Sequence, residues 1–317
     1  MPELPEVQTI VSDLNKKIKG DTITGFWSDW PKAIKGVNGG ASASSADKFK
    51  KEIKGRKILG VRRIGKNIFI DLSGKKTLYI HLKMTGHLLV KTRANFQFPI
   101  SNFQTNFNDQ IPKSKTPDYF NDKVNSYIHH IWYLKSCNMK HVAYNKTLEF
   151  SDVRKFAKIV LDDTQKINDL PEIKKLGVDA MSKEFTLKKF KEILERRKNK
   201  SIGLVLMEQE LISGIGNIYR SEILFEAGIL PTRQIKDLSS KEIAKIYQAI
   251  KKVLAKAIKL RGTSDSDYRD TSGAPGNFQK VLRVYRQAGK KCKKCDTIVK
   301  RMILGQRSAF YCPKCQK

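Results

Sequence analysis

The first residues of this 317-residue chain could perform amine chemistry. If Met1 is removed, Pro2 presents a free secondary amine, and α-amino groups titrate near pH ~8, so a useful fraction is neutral at pH 7. Attack of that amine on C1′ of a sugar would give an iminium, the proline form of lysine Schiff-base chemistry. Glu3 follows directly and could move the protons. A purely structural reading stays open, because the first turn of many helices contains Pro and Glu.

A helix is the element that must position this amine. Apolar residues recur at steps of three or four after Pro5, namely Val7, Ile10, Val11, Leu14 and Ile18. This period predicts a helix with one buried face. The prolyl amine would then lie at the positive end of the helix dipole, which favours its neutral form.

Four of the five cysteines stand near the C-terminus as two CxxC pairs, Cys292, Cys295, Cys312 and Cys315. This spacing predicts a closed tetrahedral Zn²⁺ site, and four cysteine ligands indicate a structural ion. The residues between the pairs suggest a β-hairpin that carries Lys300, Arg301 and Arg307, and a cationic hairpin suits a DNA groove. We expect the fifth cysteine, Cys137, to be a core residue rather than a reactive thiol.

The charge of the chain indicates a polyanionic partner. There are 62 Lys and Arg against 31 Asp and Glu, a net charge of +31, while 40% hydrophobic residues still allow real cores. No signal peptide and no apolar stretch of membrane-spanning length can be read from the sequence. With four cysteines paired for a metal, we expect a protein of the reducing cytoplasm, associated with the nucleoid. We also expect a monomer.

The N-terminal half alternates as strands do. Apolar stretches punctuated by glycine run from 57 to 92 and resume from 127 to 150, which predicts an antiparallel β-sandwich with the first helix packed against it. Residues 36–47 and 93–126 lack this pattern, so we expect a surface loop and a long insertion loop.

Cationic and large apolar residues stand at the strand ends. Lys66 lies between two predicted strands and fits a solvated loop as well as a phosphate-facing one. Met84 ends one strand, and Arg154 and Phe156 follow another. These positions could supply a base or phosphate contact and two apolar wedges, although composition alone favours a core Met and a core Phe.

The second half changes to a helical period. Residues 160–184 look like a charged linker, and helices follow from Thr186 onward. A turn with Gly214 and Gly216 opens a new helix, and such a turn could clamp a phosphate with outward-pointing N–H groups. Helix packing alone could also require these glycines. Residues 261–277 form another predicted loop of small polar residues.

Taken in order, these motifs resemble the formamidopyrimidine-DNA glycosylase (Fpg/Nei) family. The resemblance rests on residues 1–7, 152–156 and 214–222 and on the cysteine hairpin with Gln306 and Arg307, and it excludes 93–126. It implies an α+β protein of two domains. The implied parts are a catalytic β-sandwich with an N-terminal helix (1–160), a linker (161–184), a helix-two-turn-helix domain with a lesion loop (185–285, loop 261–277) and a four-cysteine zinc finger (286–317).

The resemblance also implies a bifunctional glycosylase and abasic-site lyase that acts on oxidised purines in duplex DNA. Catalytic roles fall on Pro2 as the Schiff-base nucleophile, Glu3 as proton donor and acceptor, Glu6 as support, and Lys66 and Arg307 as phosphate contacts and proton donors for elimination. Expected DNA-binding residues are His81, Met84, Arg154, Lys155, Phe156, Asn217 and Tyr219. Flipping is needed because C1′ chemistry cannot proceed inside an intact stack.

Other functions remain open at this point. An endonuclease VIII-like glycosylase would act on oxidised pyrimidines, and a non-catalytic DNA-binding zinc protein would not need Pro2 and Glu3. A zinc-hairpin factor that binds RNA or the ribosome would leave the N-terminus unexplained. Two departures from the family pattern, Gln8 and Ala157, are expected to have little effect.

Overall fold

The computed structural model describes residues 1–35, 43–93, 119–137 and 143–317, without the side chains of 43–46, 93, 137 and 143–145. The expectations for the Cys137 side chain, for most of the insertion loop (94–118) and for the loop at 36–42 lie outside the described residues. Residues 43–47, also expected in that loop, begin a helix instead.

The N-terminal half is a sandwich of two four-stranded antiparallel sheets, which confirms the predicted architecture. One sheet has the order β1-β6-β7-β5 and the other β2-β3-β4-β8. The strands are β1 (Thr22–Ser28), β2 (Ile58–Ile64), β3 (Asn67–Leu72), β4 (Lys76–His81), β5 (His87–Arg93), β6 (Ile128–Cys137), β7 (Ala143–Ser151) and β8 (Lys158–Asp163). Isolated bridges Thr22–Lys57 and Ile34–Ile159 join the two sheets at their edges.

Helix α1 (Leu4–Lys17) packs where the two halves of the protein meet. Its predicted apolar face is buried, with Val7, Ile10 and Leu14 fully inaccessible. The helix contacts β2, β3 and β5 of the sandwich on one side and the long helix α8 (Ser240–Lys259) on the other. The N-terminus is therefore held at the domain junction by burial along the whole helix. Helix α2 (Ala43–Ile53) packs beside β1.

The segment 161–184, expected to be a loop-like linker, contains regular secondary structure, which corrects that expectation. Strand β8 continues to Asp163, and α3 (Thr164–Asn168), α4 (Pro171–Lys174) and the short strand β9 (Val178–Asp179) follow it. Ile167, Leu170 and Ile173 form a small core with Phe69 and Tyr79 of the sandwich. The many charged residues of this segment obscured three apolar positions spaced one helical turn apart.

The second half is helical and ends in a hairpin. Its elements are α5 (Leu187–Glu195), α6 (Ile202–Val205), β10 (Ile212–Ser213), α7 (Asn217–Ala227), α8, β11 (Lys300–Leu304) and β12 (Arg307–Tyr311). Short 3₁₀ helices occur at Pro31–Ala33, Tyr119–Asn121, Lys123–Ser126, Ile235–Asp237 and Phe278–Val281. Val299 and Phe310 of the hairpin region share one buried core with α7 and α8. No helix in the described ranges combines the length and apolarity needed to cross a membrane.

Candidate active site and DNA interface

The N-terminus of α1 docks on the N-terminus of α7. The Glu3 carboxylate accepts N–H groups from Gly216 at 2.8 Å, Ile218 at 3.0 Å and Tyr219 at 3.4 Å. The N–H of Leu4 donates to the carbonyl of Gly214 at 3.1 Å. A carboxylate at the positive end of a helix is stabilised by the free amides there. The predicted outward phosphate clamp is wrong for these three amides, because Glu3 occupies them.

Glycine is required at both positions of this turn, for a different physical reason at each. A Cβ on Gly216 would lie 2.4 Å from the carboxyl carbon of Glu3, so any side chain there displaces the acid. Gly214 has a φ of +106°, and a Cβ there would lie 2.5 Å from Leu4. The glycine pair therefore serves the close approach of the two helix ends.

Pro2 is buried and Met1 is partly exposed at 40%. Removal of Met1 would release the amine next to the docked Glu3. The geometry is thus compatible with the predicted nucleophile and requires the processing step.

Glu6 connects the N-terminus to two other elements. Its Oε1 accepts the Tyr219 hydroxyl at 2.5 Å and the Thr263 N–H at 2.7 Å, and its Oε2 accepts the Glu3 N–H at 2.8 Å. Burial raises the pKa of Glu6 to about 7, and the neighbouring Glu3 adds to this rise, although the three donors oppose it. Glu6 can therefore exchange a proton near neutral pH.

Tyr219 lies inside this cluster rather than at a DNA surface. Its side chain is fully buried, and its hydroxyl contacts Glu6 and, at 3.0 Å, the hydroxyl of Thr263. Burial raises the pKa of Tyr219 well above its usual range, so it stays a neutral donor. The DNA contact expected of Tyr219 is not what its side chain provides here, because the hydroxyl is used to hold Glu6.

Lys66 reaches the same junction from the sandwich. It sits in the turn between β2 and β3, and its Nζ donates to the carbonyl of Ile215 at 3.0 Å. Arg63 and the N–H of Gly65 both bind the carboxylate of Asp179, which fixes this turn. Burial lowers the pKa of Lys66, Arg307 lowers it further, and Glu3 and Glu6 oppose the change. The lowered pKa makes the Lys66 ammonium a stronger acid, which suits proton donation.

Two turns of the sandwich present Met84 and Phe156 to solvent, at 41% and 52% exposure. The core positions that composition favours are therefore wrong for both. Buried Asp152 shapes one turn by accepting the N–H groups of Phe156 at 2.9 Å and Ala157 at 3.0 Å, and the Thr85 hydroxyl also donates to it. The two turns are thus joined through Thr85 and Asp152.

The cationic residues and the histidine near these two turns make different contacts from one another. The Arg154 guanidinium stacks 4.8 Å from the Phe156 ring centroid, and Lys155 is exposed with a φ of +54°. His81 is half-buried, and its Nδ1 accepts the Lys83 N–H at 3.0 Å. Burial and the neighbouring lysines lower the pKa of His81 to about 3. His81 is therefore neutral at pH 7 and carries its proton on Nε2.

Arg220 is a site residue that the sequence analysis missed. It is fully buried on α7, and its Nη2 donates to Asn217 Oδ1 at 2.6 Å and to the Ser308 carbonyl at 3.0 Å. Its Nε and Nη1 have no hydrogen-bond partner in the part of the chain that the structure describes. Arg220 thus joins Asn217 to the hairpin that carries exposed Arg307. The available signal was a cation one turn after Asn217 among apolar residues.

The four cysteine sulfurs form one cluster. All four Sγ atoms lie within 4.8 Å of one another, with Cys292 to Cys315 at 3.9 Å and Cys295 to Cys312 at 3.4 Å. Tetrahedral zinc with Zn–S bonds of about 2.3 Å places its sulfurs ~3.8 Å apart, so the donor set fits the ion. The predicted single structural zinc is confirmed, and Cys292 and Cys312 are buried in the core of the helical domain.

Comparison with known families gives three matches along the chain. The Formamidopyrimidine-DNA glycosylase N-terminal domain matches residues 1–159, and the Formamidopyrimidine-DNA glycosylase H2TH domain matches residues 176–268. The zinc finger found in FPG and IleRS matches residues 289–317. With the fold and the junction described above, these matches define a DNA glycosylase of the helix-two-turn-helix class.

Whole-chain comparisons agree with this class. The chain is 36% identical to a formamidopyrimidine-DNA glycosylase from Carboxydothermus hydrogenoformans and 35% identical to one from Pelotomaculum thermopropionicum, covering 100% of this chain and at least 99% of each relative. The solved structure of Lactococcus lactis Fpg with DNA containing an abasic site has a TM-score of 0.76 at 28% identity, over 99% of both chains. A MutM complex with carbocyclic 8-oxo-G DNA has a TM-score of 0.74 at 28% identity, over 100% of both chains. The chain belongs to the formamidopyrimidine-DNA glycosylase family.

Proposed function

We propose that this chain excises oxidised purines during base-excision repair and then cleaves the abasic site. The observation that carries the proposal is the docking of Glu3 on α7, which buries an acid directly beside Pro2 at the domain junction. The Fapy-dG and abasic-site DNA bound by Lactococcus lactis Fpg supports the substrate class.

The chemistry assigns one step to each group. The Pro2 amine attacks C1′, the glycosidic bond breaks, and the base leaves with a proton supplied through Glu3. The C1′–O4′ bond of the resulting aminal then opens, O4′ takes up the amine proton through Glu3, and Pro2 is left as an iminium. The iminium then makes the C2′ proton acidic, so its removal expels the 3′ phosphate, and a second elimination expels the 5′ phosphate. Lys66, with its lowered pKa, and Arg307 would protonate the leaving groups. Glu6 would hold the N-terminal turn in register.

The proposed DNA contacts are of two kinds, polar contacts with phosphates and apolar side chains inserted into the base stack. Asn217, Arg307 and Lys66 would bind phosphates around the lesion, with the zinc hairpin contributing further cations. The exposed Met84 and Phe156 would fill the space left by a flipped nucleotide, with Arg154 stacked on Phe156. His81 would donate from Nε2, and exposed Lys155 would add an electrostatic contact.

The decisive experiment is covalent trapping on duplex DNA that carries one 8-oxoguanine opposite cytosine. Borohydride reduces an iminium to a stable amine, so the wild type, with Met1 shown to be absent by intact mass, should give a protein–DNA adduct. The tryptic peptide 2–16 contains the prolyl amine and, as its only lysine, the terminal Lys16. An adduct on this peptide with normal cleavage after Lys16 would therefore assign the bond to Pro2.

Two variants sharpen the result. Glu3→Gln should reduce base release by about a hundredfold or more, the usual worth of a positioned proton donor. Pro5→Ala is a matched control, because it removes a proline from the same helix turn without touching the amine, and it should still form the adduct. The proposal fails if DNA binds but neither an adduct nor strand cleavage appears with the wild type. A parallel oxidised-pyrimidine duplex tests the endonuclease VIII-like alternative.

The location and the oligomeric state belong to the same proposal. A monomer in the cytoplasm, associated with the nucleoid, fits the net charge of +31 and four zinc-binding thiolates. Light scattering with and without duplex DNA would test the monomer.

A further inference from the structure

Loop 261–277 lies directly on the proposed catalytic cluster. The N–H of Thr263 donates to Glu6, and a Cβ on Gly262 would lie 2.7 Å from Oε1 of Glu6. Arg261, at the base of the loop, binds Asp13 of α1 at 2.5 Å, which ties the loop to this helix, and Asp270 of the loop itself at 2.7 Å. The loop is therefore in direct contact with the proposed catalytic cluster.

A second element holds the far side of this loop. Residues 119–126, the described end of the insertion and here named the anchor segment, contain two 3₁₀ turns. Arg269 of the loop donates to Asp122 of the anchor segment through Nε at 2.9 Å and Nη2 at 2.7 Å. The side chains of Arg269 and Asp122 are 13% and 31% exposed, so this ion pair is partly withdrawn from water.

Asn125 makes a second, buried connection. It is 1% exposed, and its Nδ2 donates to the carbonyl of Tyr119 at 2.7 Å and to the carbonyl of Gly273 at 3.2 Å. Its Oδ1 accepts Nε2 of buried His87 at 2.8 Å. The loop approaches so closely that a Cβ on Gly273, which has a φ of +77°, would lie 2.7 Å from Asn125. A satisfied buried amide with this fit specifies one position for the loop.

We propose that the anchor segment fixes loop 261–277 against Glu6 before DNA binds, and so determines the rate of excision of a flipped base. This inference rests on the proposed function. A loop that must be ordered during binding costs conformational entropy, and fixing it in advance removes that cost. The gain from a loop fixed in advance applies to a substrate whose flipped base the loop contacts. A preformed abasic site has no base, so its cleavage should depend less on the loop.

The test variant is Asp122→Ser. Asp122 also accepts the Val124 N–H at 3.1 Å, and serine can keep this capping role while it cannot reach Arg269. The control is Asp169→Ser, which removes an ion pair with Lys174 at 3.1 Å elsewhere on the surface. Arg269→Ala and the double variant complete a double-mutant cycle.

Three readouts are expected to agree. Hydrogen exchange of amides 262–277 in DNA-free protein should quicken in Asp122→Ser and stay unchanged in Asp169→Ser. Single-turnover excision of 8-oxoguanine should fall about tenfold, within the usual range of contact coupling energies, while cleavage of a preformed abasic site changes less than about twofold. The double variant should excise 8-oxoguanine no more slowly than Arg269→Ala alone, because Asp122 acts on the loop through Arg269.

The inference is overturned if loop exchange is unchanged in Asp122→Ser, or if both substrates slow to the same extent. Failure of the proposed function gives a different result, because the wild type itself would then cleave neither substrate. The hydrogen-exchange measurement does not require enzymatic activity. It therefore tests whether the anchor segment fixes the loop even if the proposed function is wrong.

Discussion

The raised pKa of Glu6 predicts that this one residue makes the stability of the protein fall between pH 5 and pH 8. Glu6 is 1% exposed, and burial is the main reason why its pKa rises from 4.5 to about 7. The folded state therefore binds this proton more tightly than the unfolded state does. The perturbation that tests this is Glu6→Gln, which cannot ionise.

The size and sign follow from proton linkage. A change from 4.5 to about 7 corresponds to about 3 kcal/mol of folding free energy. Because the folded pKa is the higher one, this contribution is complete below pH 4.5 and is lost as the pH rises through 7. Between pH 5 and pH 8 the wild type should therefore lose about 2 to 3 kcal/mol more stability than Glu6→Gln.

The variant also carries a cost that does not depend on pH. Glu6 accepts three donors, from Tyr219, Thr263 and Glu3, whereas a glutamine amide offers one oxygen and one donor group. In either orientation a donor faces a donor, which costs about 1 to 3 kcal/mol at every pH. The informative quantity is thus the difference in pH slope, not the stability at a single pH.

Urea unfolding at several pH values between 5 and 8 measures this slope for each protein. Titrating groups far from Glu6, including the zinc cysteines, are common to both proteins and cancel in the difference. Glu195→Gln, which changes an exposed carboxylate, should follow the wild type. Parallel pH profiles for wild type and Glu6→Gln would refute the reasoning and show that Glu6 is ionised throughout.

Three further predictions concern the contacts around this cluster. Gly216→Ala should displace Glu3 and lower turnover at least about tenfold, as borohydride trapping rates would show, and unchanged rates would contradict the docking. Cys312→Ser should reduce bound zinc, measured by atomic absorption, from one ion per chain to nearly none. Arg220→Met should lose about 1 to 3 kcal/mol in urea unfolding, because methionine has no donor for Asn217 and Ser308, and a variant as stable as wild type would rule that bridge out.

Several features of the fold followed from local patterns. The apolar period of α1, the alternating strands and the helix after the glycine turn all appear as expected. Residues 161–184 were misjudged because charge density hid the small core around Ile167. Composition favoured core positions for Met84 and Phe156, but the turn built on Asp152 exposes them. The conformation of this turn depends on the hydrogen bonds that the Asp152 carboxylate accepts, and the sequence alone does not specify them.

The sequence by itself determined the chemistry available: an N-terminal proline and acid, four cysteines spaced for zinc, and a glycine turn that opens a helix. Only the tertiary structure decided which groups meet. Glu3, rather than a phosphate, takes the amides of α7, over a separation of 213 residues. Tyr219 supports Glu6, Arg220 joins α7 to the hairpin, and the anchor segment meets loop 261–277. Such pairings depend on the packing of distant elements, because no local periodicity specifies which buried donor finds which acceptor.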